Sequence, residues 1–166
     1  MNAIIIYHSK TGFSQRYAQW LAESLDCQAV PFRDRKSKNL SEYDTIILFG
    51  GLYAGNMSGL GWLKKQMPAL GDRRVAAAAV GCAPGESPGQ AESMEKLFGG
   101  TRIQGFYCQG GLAYDRMGAV DRTMMAALRT ALRRKPEMAG MLAVISQSFD
   151  GTKREYLDPL IAWAKQ

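Results

Sequence analysis

The sequence is poor in the residues that build metal centres and disulfide frameworks: its 166 residues hold three cysteines and one histidine. Cys27, Cys82 and Cys108 stand far apart with no C-x-x-C pair and no histidine beside them, which excludes a zinc ribbon and a cysteine-ligated iron–sulfur site by spacing. They read as reduced thiols of a cytoplasmic protein. Long apolar runs are lacking as well. Thr45 to Phe49 and Val75 to Val80 fall far short of the roughly 20 residues that a membrane helix needs. The start, Met1-Asn2 followed by Ala3-Ile4-Ile5-Ile6-Tyr7, carries neither a basic leader nor a small-residue cleavage site, so no export signal is expected. Neither G-x-x-x-x-G-K-[ST] nor G-x-G-x-x-G occurs, which disfavours a nucleoside triphosphate and a dinucleotide. Acidic residues are the minority, 15 against 21 Lys and Arg, for a net charge of +6.

Apolar residues make up 46% of the chain, enough for a folded core in one domain of this length. Short apolar runs bounded by Gly or Asp alternate with segments of helical period, the pattern of parallel strands joined by crossover helices. Five runs are expected as strands: Ala3 to Tyr7, Gln28 to Phe32, Thr45 to Phe49, Val75 to Val80 and Ile103 to Cys108. Tyr17, Leu21 and Leu25 recur every four residues and predict a helix over 14–26. Gly59 to Met67 reads as a short helix stopped by Pro68, and Pro88 to Phe98 as another ended by Gly99-Gly100. Met117, Val120, Met124, Leu128, Ala131 and Leu132 share one stripe of an amphipathic helix that stops before Pro136. Asp150 is expected to cap a last helix over 152–165, with Pro159 as a kink or a delayed start.

Ligands of an open parallel sheet sit beyond the carboxyl ends of its strands. The loop after the first strand, His8-Ser9-Lys10-Thr11-Gly12-Phe13-Ser14, packs three hydroxyls and a glycine directly before a helix N-terminus. Free first-turn N–H groups, the helix dipole and the hydroxyls of Ser9, Thr11 and Ser14 together suit a phosphate monoester, and Gly12 permits close backbone approach. One hydroxyl would serve a cap; three exceed that need. His8, a lone histidine, is more often structural than a general base.

Ser9-x-Thr11-Gly12-x-Ser14 after a five-residue apolar strand resembles the phosphate loop of the flavodoxin superfamily. That resemblance implies a three-layer α/β/α sandwich over residues 1–166, with a five-stranded parallel sheet in the order 2-1-3-4-5. It implies FMN as cofactor, its phosphate held by Ser9, Lys10, Thr11, Gly12, Phe13 and Ser14. Gly50 to Asn56 matches the family's second flavin loop by position, placing Leu52, Tyr53, Ala54, Gly55 and Asn56 at the isoalloxazine. Gly81 to Gly85 matches the third, with Cys82 and Ala83. The last third, Gly110-Gly111-Leu112-x-Tyr114 with Met117, Asp121-Arg122 and Met124, is similar to menaquinone-dependent protoporphyrinogen oxidase and its relatives, as is the basic Lys10. This adds Gly111 and Tyr114 to the implied cofactor contacts, with a basic side chain near Tyr114 for tetrapyrrole propionates. Tyr53-Ala54 depart from that branch, which carries an Arg-Tyr pair there.

Charge separates the functional classes. Electron-carrier flavodoxins are typically acidic and dock on basic partners, which a +6 chain would repel. The expectation is therefore an FMN-dependent oxidoreductase with a small-molecule or protein redox partner of quinone type, the alternative being a flavodoxin-type carrier. Arg33 to Lys36 and Arg133 to Lys135 are candidates for peripheral contact with an anionic membrane surface. Nucleic acid is not expected, because no aromatic residues interleave with the basic runs.

Overall fold

The computed structural model describes residues 2–166. In chain order its elements are β1 (Ala3–His8), α1 (Phe13–Leu25), β2 (Gln28–Pro31), β3 (Thr45–Tyr53), β4 (Asn56–Met57), α2 (Leu60–Leu70), β5 (Arg74–Gly81), α3 (Gln90–Phe98), β6 (Gln104–Gln109), β7 (Gly111–Leu112), α4 (Ala119–Leu132), α5 (Ala139–Ile145), β8 (Phe149–Asp150) and α6 (Asp158–Ala164). Five strands pair in parallel in the order β2-β1-β3-β5-β6, the topology expected, while β4 adds an antiparallel partner to the end of β3.

Because side chains alternate across a strand, each central strand feeds two cores. Ile5, Ile47, Phe49, Ala76 and Ala78 point to α1 and α6, meeting Tyr17, Leu21, Leu25, Leu160 and Ala164. Ile4, Ile6, Ile46, Leu48, Ala77 and Ala79 point to α2 and α3, meeting Leu60, Leu63, Leu70, Leu97 and Phe98. Each fully buried Ile or Leu contributes about 1.5–3 kcal/mol, so continuous apolar runs are what hold β1, β3 and β5 at the centre.

Several elements differ from expectation for identifiable reasons. Strand β3 runs four residues past Phe49 through Gly50 and Gly51, turns at Ala54-Gly55 and returns as β4. Both turn residues have positive φ, 47° and 79°, the geometry of a tight two-residue hairpin. Helix α2 does not stop at Pro68 but continues to Leu70, because burying Leu70 beside Leu63 holds one more turn while the proline ring faces solvent. The last helix starts late, with Pro159 in its first turn, and Asp150 caps a turn at Thr152 rather than the helix itself. Helix α4 forms where its amphipathic pattern predicts, but the stripe finds no covering layer: Val120, Met124, Leu128 and Ala131 are exposed and only Leu132 is buried. Both sheet faces are already covered by the other helices, and α4 lies with α5 in an insertion between the two strands of the small β7–β8 ribbon.

Candidate functional site

Strand β1 ends at His8 and the chain reaches α1 through Ser9, Lys10, Thr11 and Gly12. Ser9 Oγ accepts the Gly12 N–H at 3.0 Å, which closes the loop and leaves the Ser9 hydroxyl hydrogen free to donate. Gly12 sits at φ 97°, a left-handed conformation that other residues rarely adopt, and no side chain caps the helix. The N–H groups of Phe13, Ser14 and Gln15 find no acceptor among the described residues, as the first turn of a helix dictates. Ser14 is only 3% exposed, and its hydroxyl has no hydrogen-bond partner among the described residues. The unengaged amides, the glycine bend and the spare hydroxyls fit a phosphate dianion. The Phe13 ring belongs to the core with Tyr17, so its N–H, not its side chain, is what it offers.

The second loop lies against the first. Lys10 Nζ stands 4.8 Å from the centre of the Tyr53 ring, and the ring packs on the backbone of Gly51, where a Cβ would come within 2.6 Å. Burial, with a smaller contribution from Asp121, raises the Tyr53 pKa and keeps its phenol neutral. Tyr53, Ala54, Gly55 and Asn56 are exposed at the hairpin tip, Leu52 is half-buried, and the Asn56 side chain donates to the Ala54 carbonyl at 3.3 Å.

The third loop is pinned from β6. Tyr107 Oη donates to the Ala83 carbonyl at 2.6 Å, Gln109 Nε2 to the Cys82 carbonyl at 3.4 Å, and Tyr156 Oη to Gln109 Oε1 at 3.0 Å. Burial pushes the Cys82 thiol pKa up, which favours the thiol over the thiolate. Burial pushes the pKa of Cys108, on β6, up to about 12.

Two residues of the insertion reach the β1–α1 loop. Arg116 Nη1 donates to the Thr11 carbonyl at 3.2 Å, and Asp121 pairs with Lys10 at 3.2 Å. The pair is half-exposed and of little weight for stability, but with Arg116 it ties the start of α4 to the loop. A cleft of about 250 Å³ opens beside them, lined by Phe13, Leu112, Arg116 and Phe149 among others. Gly111 stands in β7 against Phe13 and Phe149, with no room for a side chain. Tyr114 is a pin of the insertion: its hydroxyl donates to the Ile145 carbonyl, its N–H to Ser148 Oγ at 3.0 Å, and its ring lies under Arg129. Arg122 donates to the Tyr114 carbonyl at 3.0 Å. Of the basic side chains near Tyr114, one of which the resemblance assigns to propionates, Arg122 and Arg129 are thus engaged in holding the insertion together.

His8 packs edge-on against Phe32 at 4.9 Å, and its Nδ1 is buried without a partner among the described residues. Burial first, then Lys10 and Arg35, hold its pKa below the ordinary 6.5. A histidine depressed in the folded chain contributes stability above pH 6.5 that is lost as the pH falls from 6.5 through the lower folded value. The urea midpoint is expected to drop across that window and the drop to be smaller in His8→Gln; an identical drop in the variant would assign it to other groups.

Comparison with known proteins follows the same lines. A sequence model of the flavodoxin domain matches residues 4–138. Among solved structures, the chain is similar to a flavodoxin from the domain Archaea (21% identity, 66% of this chain and 85% of that one, TM-score 0.43). It is also similar to the WrbA-like flavodoxin of Agrobacterium tumefaciens (16% identity, 72% and 87%, TM-score 0.48) and to an NADPH-quinone reductase from P. pentosaceus (14% identity, 66% and 85%, TM-score 0.38). No curated protein sequence matches the chain. The resemblance to protoporphyrinogen oxidase gains no support from these comparisons. The domain match spans β1 through α4, including the whole β1–α1 loop, and on it the chain belongs to the flavodoxin domain family, whose cofactor is FMN.

Proposed function

We propose that the protein is an FMN-dependent oxidoreductase that delivers electrons to a small acceptor of the quinone class. The observation that carries the reading is the start of α1, where unengaged amides follow the Gly12 bend at the end where a helix dipole favours an anion, with Ser9, Thr11 and Ser14 all in the loop and first turn beside it. When bound, FMN supplies the two-electron chemistry, and the chain supplies binding and orientation. Ser9, Thr11 and Ser14 would donate to phosphate oxygens, Lys10 and Arg116 would add positive charge at its rim, and the exposed hairpin at Tyr53 would cover a ring face. The carbonyls held by Tyr107 and Gln109 fix how the third loop presents its N–H groups.

The net charge of +6 favours an enzyme over a carrier that docks on basic partners. A tetrapyrrole donor rests on sequence resemblance alone. Anaerobic reduction of the FMN-loaded chain followed by menadione is the test. Two-electron reduction of one equivalent of menadione, with no one-electron form accumulating, is expected. A one-electron form that accumulates in high yield, with no turnover on menadione whether or not protoporphyrinogen is the donor, would make the protein a carrier.

A further inference from the structure

Six large hydrophobic side chains are exposed among the described residues, and five of them lie within residues 120–144. Val120, Met124 and Leu128 on α4 are 74%, 58% and 37% exposed, and Met141 and Val144 on α5 are 44% each. On α4 these side chains fall with Ala127 and Ala131 along a single stripe, bordered by Thr123 and Thr130. The stripe carries no charge. Asp121, the one acid of the helix, is taken up by Lys10, while Arg122 and Arg129 turn back onto Tyr114. Beyond the helix end stand Arg133, Arg134 and Lys135, all exposed and without a carboxylate within ion-pair distance among the described residues. An uncharged apolar stripe that ends in three unpaired cations, on a chain already at +6, is complementary to an anionic, partly apolar surface. It is poorly matched to a second copy carrying the same charge.

We propose that the α4–α5 hairpin docks on an anionic lipid bilayer. The helix lies in the plane of the interface, with Val120, Met124, Leu128, Met141 and Val144 entering the boundary between headgroups and acyl chains while Arg133, Arg134 and Lys135 meet lipid phosphates. Lipid docking stands independently of the redox reading. If both hold, the Arg116–Thr11 and Lys10–Asp121 contacts bring the phosphate loop to the membrane, where a lipid-dissolved acceptor is reached.

The test is co-sedimentation of the full chain with vesicles of phosphatidylcholine alone and of phosphatidylcholine mixed with phosphatidylglycerol. Salt-sensitive binding to the mixed vesicles, and much weaker binding to the neutral ones, is expected. Arg133→Gln with Arg134→Gln should weaken it by about fivefold per charge removed. Met124→Glu should weaken it by roughly tenfold or more, since it forces a carboxylate into the interface. Its thermal midpoint should not move, because Met124 makes no core contact. FMN binding, measured on the same variants, should be unchanged, which separates failure of lipid docking from failure of the cofactor site. Equal binding to both vesicle types, binding indifferent to Met124→Glu, or a dimer in light scattering that Met124→Glu converts to monomer would overturn the proposal, the last assigning the stripe to a second copy.

Discussion

Replacing Thr11 and Ser14 together by alanine is expected to weaken FMN binding by roughly 10²- to 10⁴-fold while leaving the weaker binding of riboflavin almost unchanged. Each hydroxyl is assigned one hydrogen bond to a charged phosphate oxygen, and such bonds are worth about 1.5–3 kcal/mol apiece. The double variant removes two. The fold should tolerate the change, because neither hydroxyl has a protein partner whose loss would leave a buried group unsatisfied. Titration by quenching of flavin fluorescence reads both affinities. A double variant that retains wild-type affinity for FMN would show that the phosphate is held elsewhere.

The second large effect is on stability. Gly50 lies where β3 leaves the parallel sheet and runs towards its hairpin. A Cβ there would be driven into the backbone carbonyl of Ser58, with the Met57 side chain 3.1 Å away. The Met57 side chain can yield but the Ser58 carbonyl, being backbone, cannot swing aside, so Gly50→Ala must part β3 from the segment after β4. The expected cost is about 3 kcal/mol, at the upper end for overpacking. In a chain of this size that lowers the thermal midpoint by roughly 6–12 °C. Gly51→Ala is the control: its Cβ would meet the Tyr53 ring at 2.6 Å, but an exposed ring can rotate away. Its midpoint should fall less, while flavin affinity falls more than stability alone accounts for, since Tyr53 leaves its place beside Lys10. Scanning calorimetry on both variants checks the order, and a midpoint for Gly50→Ala equal to wild type would contradict the packing described.

The β1–α1 loop and the helix after it were legible because what marks them is local: three hydroxyls and a glycine within six residues, next to a helix whose apolar residues repeat every fourth position. The strands β1, β3 and β5 were legible for a related reason, since a strand buried on both faces must be apolar throughout, and Ile4 to Ile6, Ile46 to Phe49 and Val75 to Val80 are. Strand β3 was read short because Gly50-Gly51 has the chemistry of a turn. Only the close approach of Ser58 reveals that small residues are needed there for packing. In α4 the period identified which residues form the stripe but not what meets it, for periodicity carries no information about whether a neighbouring layer is already filled. Arg116 and Asp121 reach residues more than a hundred positions away, and no short-range pattern signals such a contact. The short strands β7 and β8 and the seven-residue α5 were missed because elements of that length have too few residues to show a period.

The most direct measurement of the central claim is calorimetric titration of the purified chain, freed of any flavin, with FMN and with riboflavin, which differ by the phosphate alone. A cradle of amides and hydroxyls at the start of α1 predicts one FMN bound per chain at micromolar affinity or tighter, with riboflavin weaker by about a hundredfold or more. Equal affinity for the two flavins, or no binding of either, would contradict it.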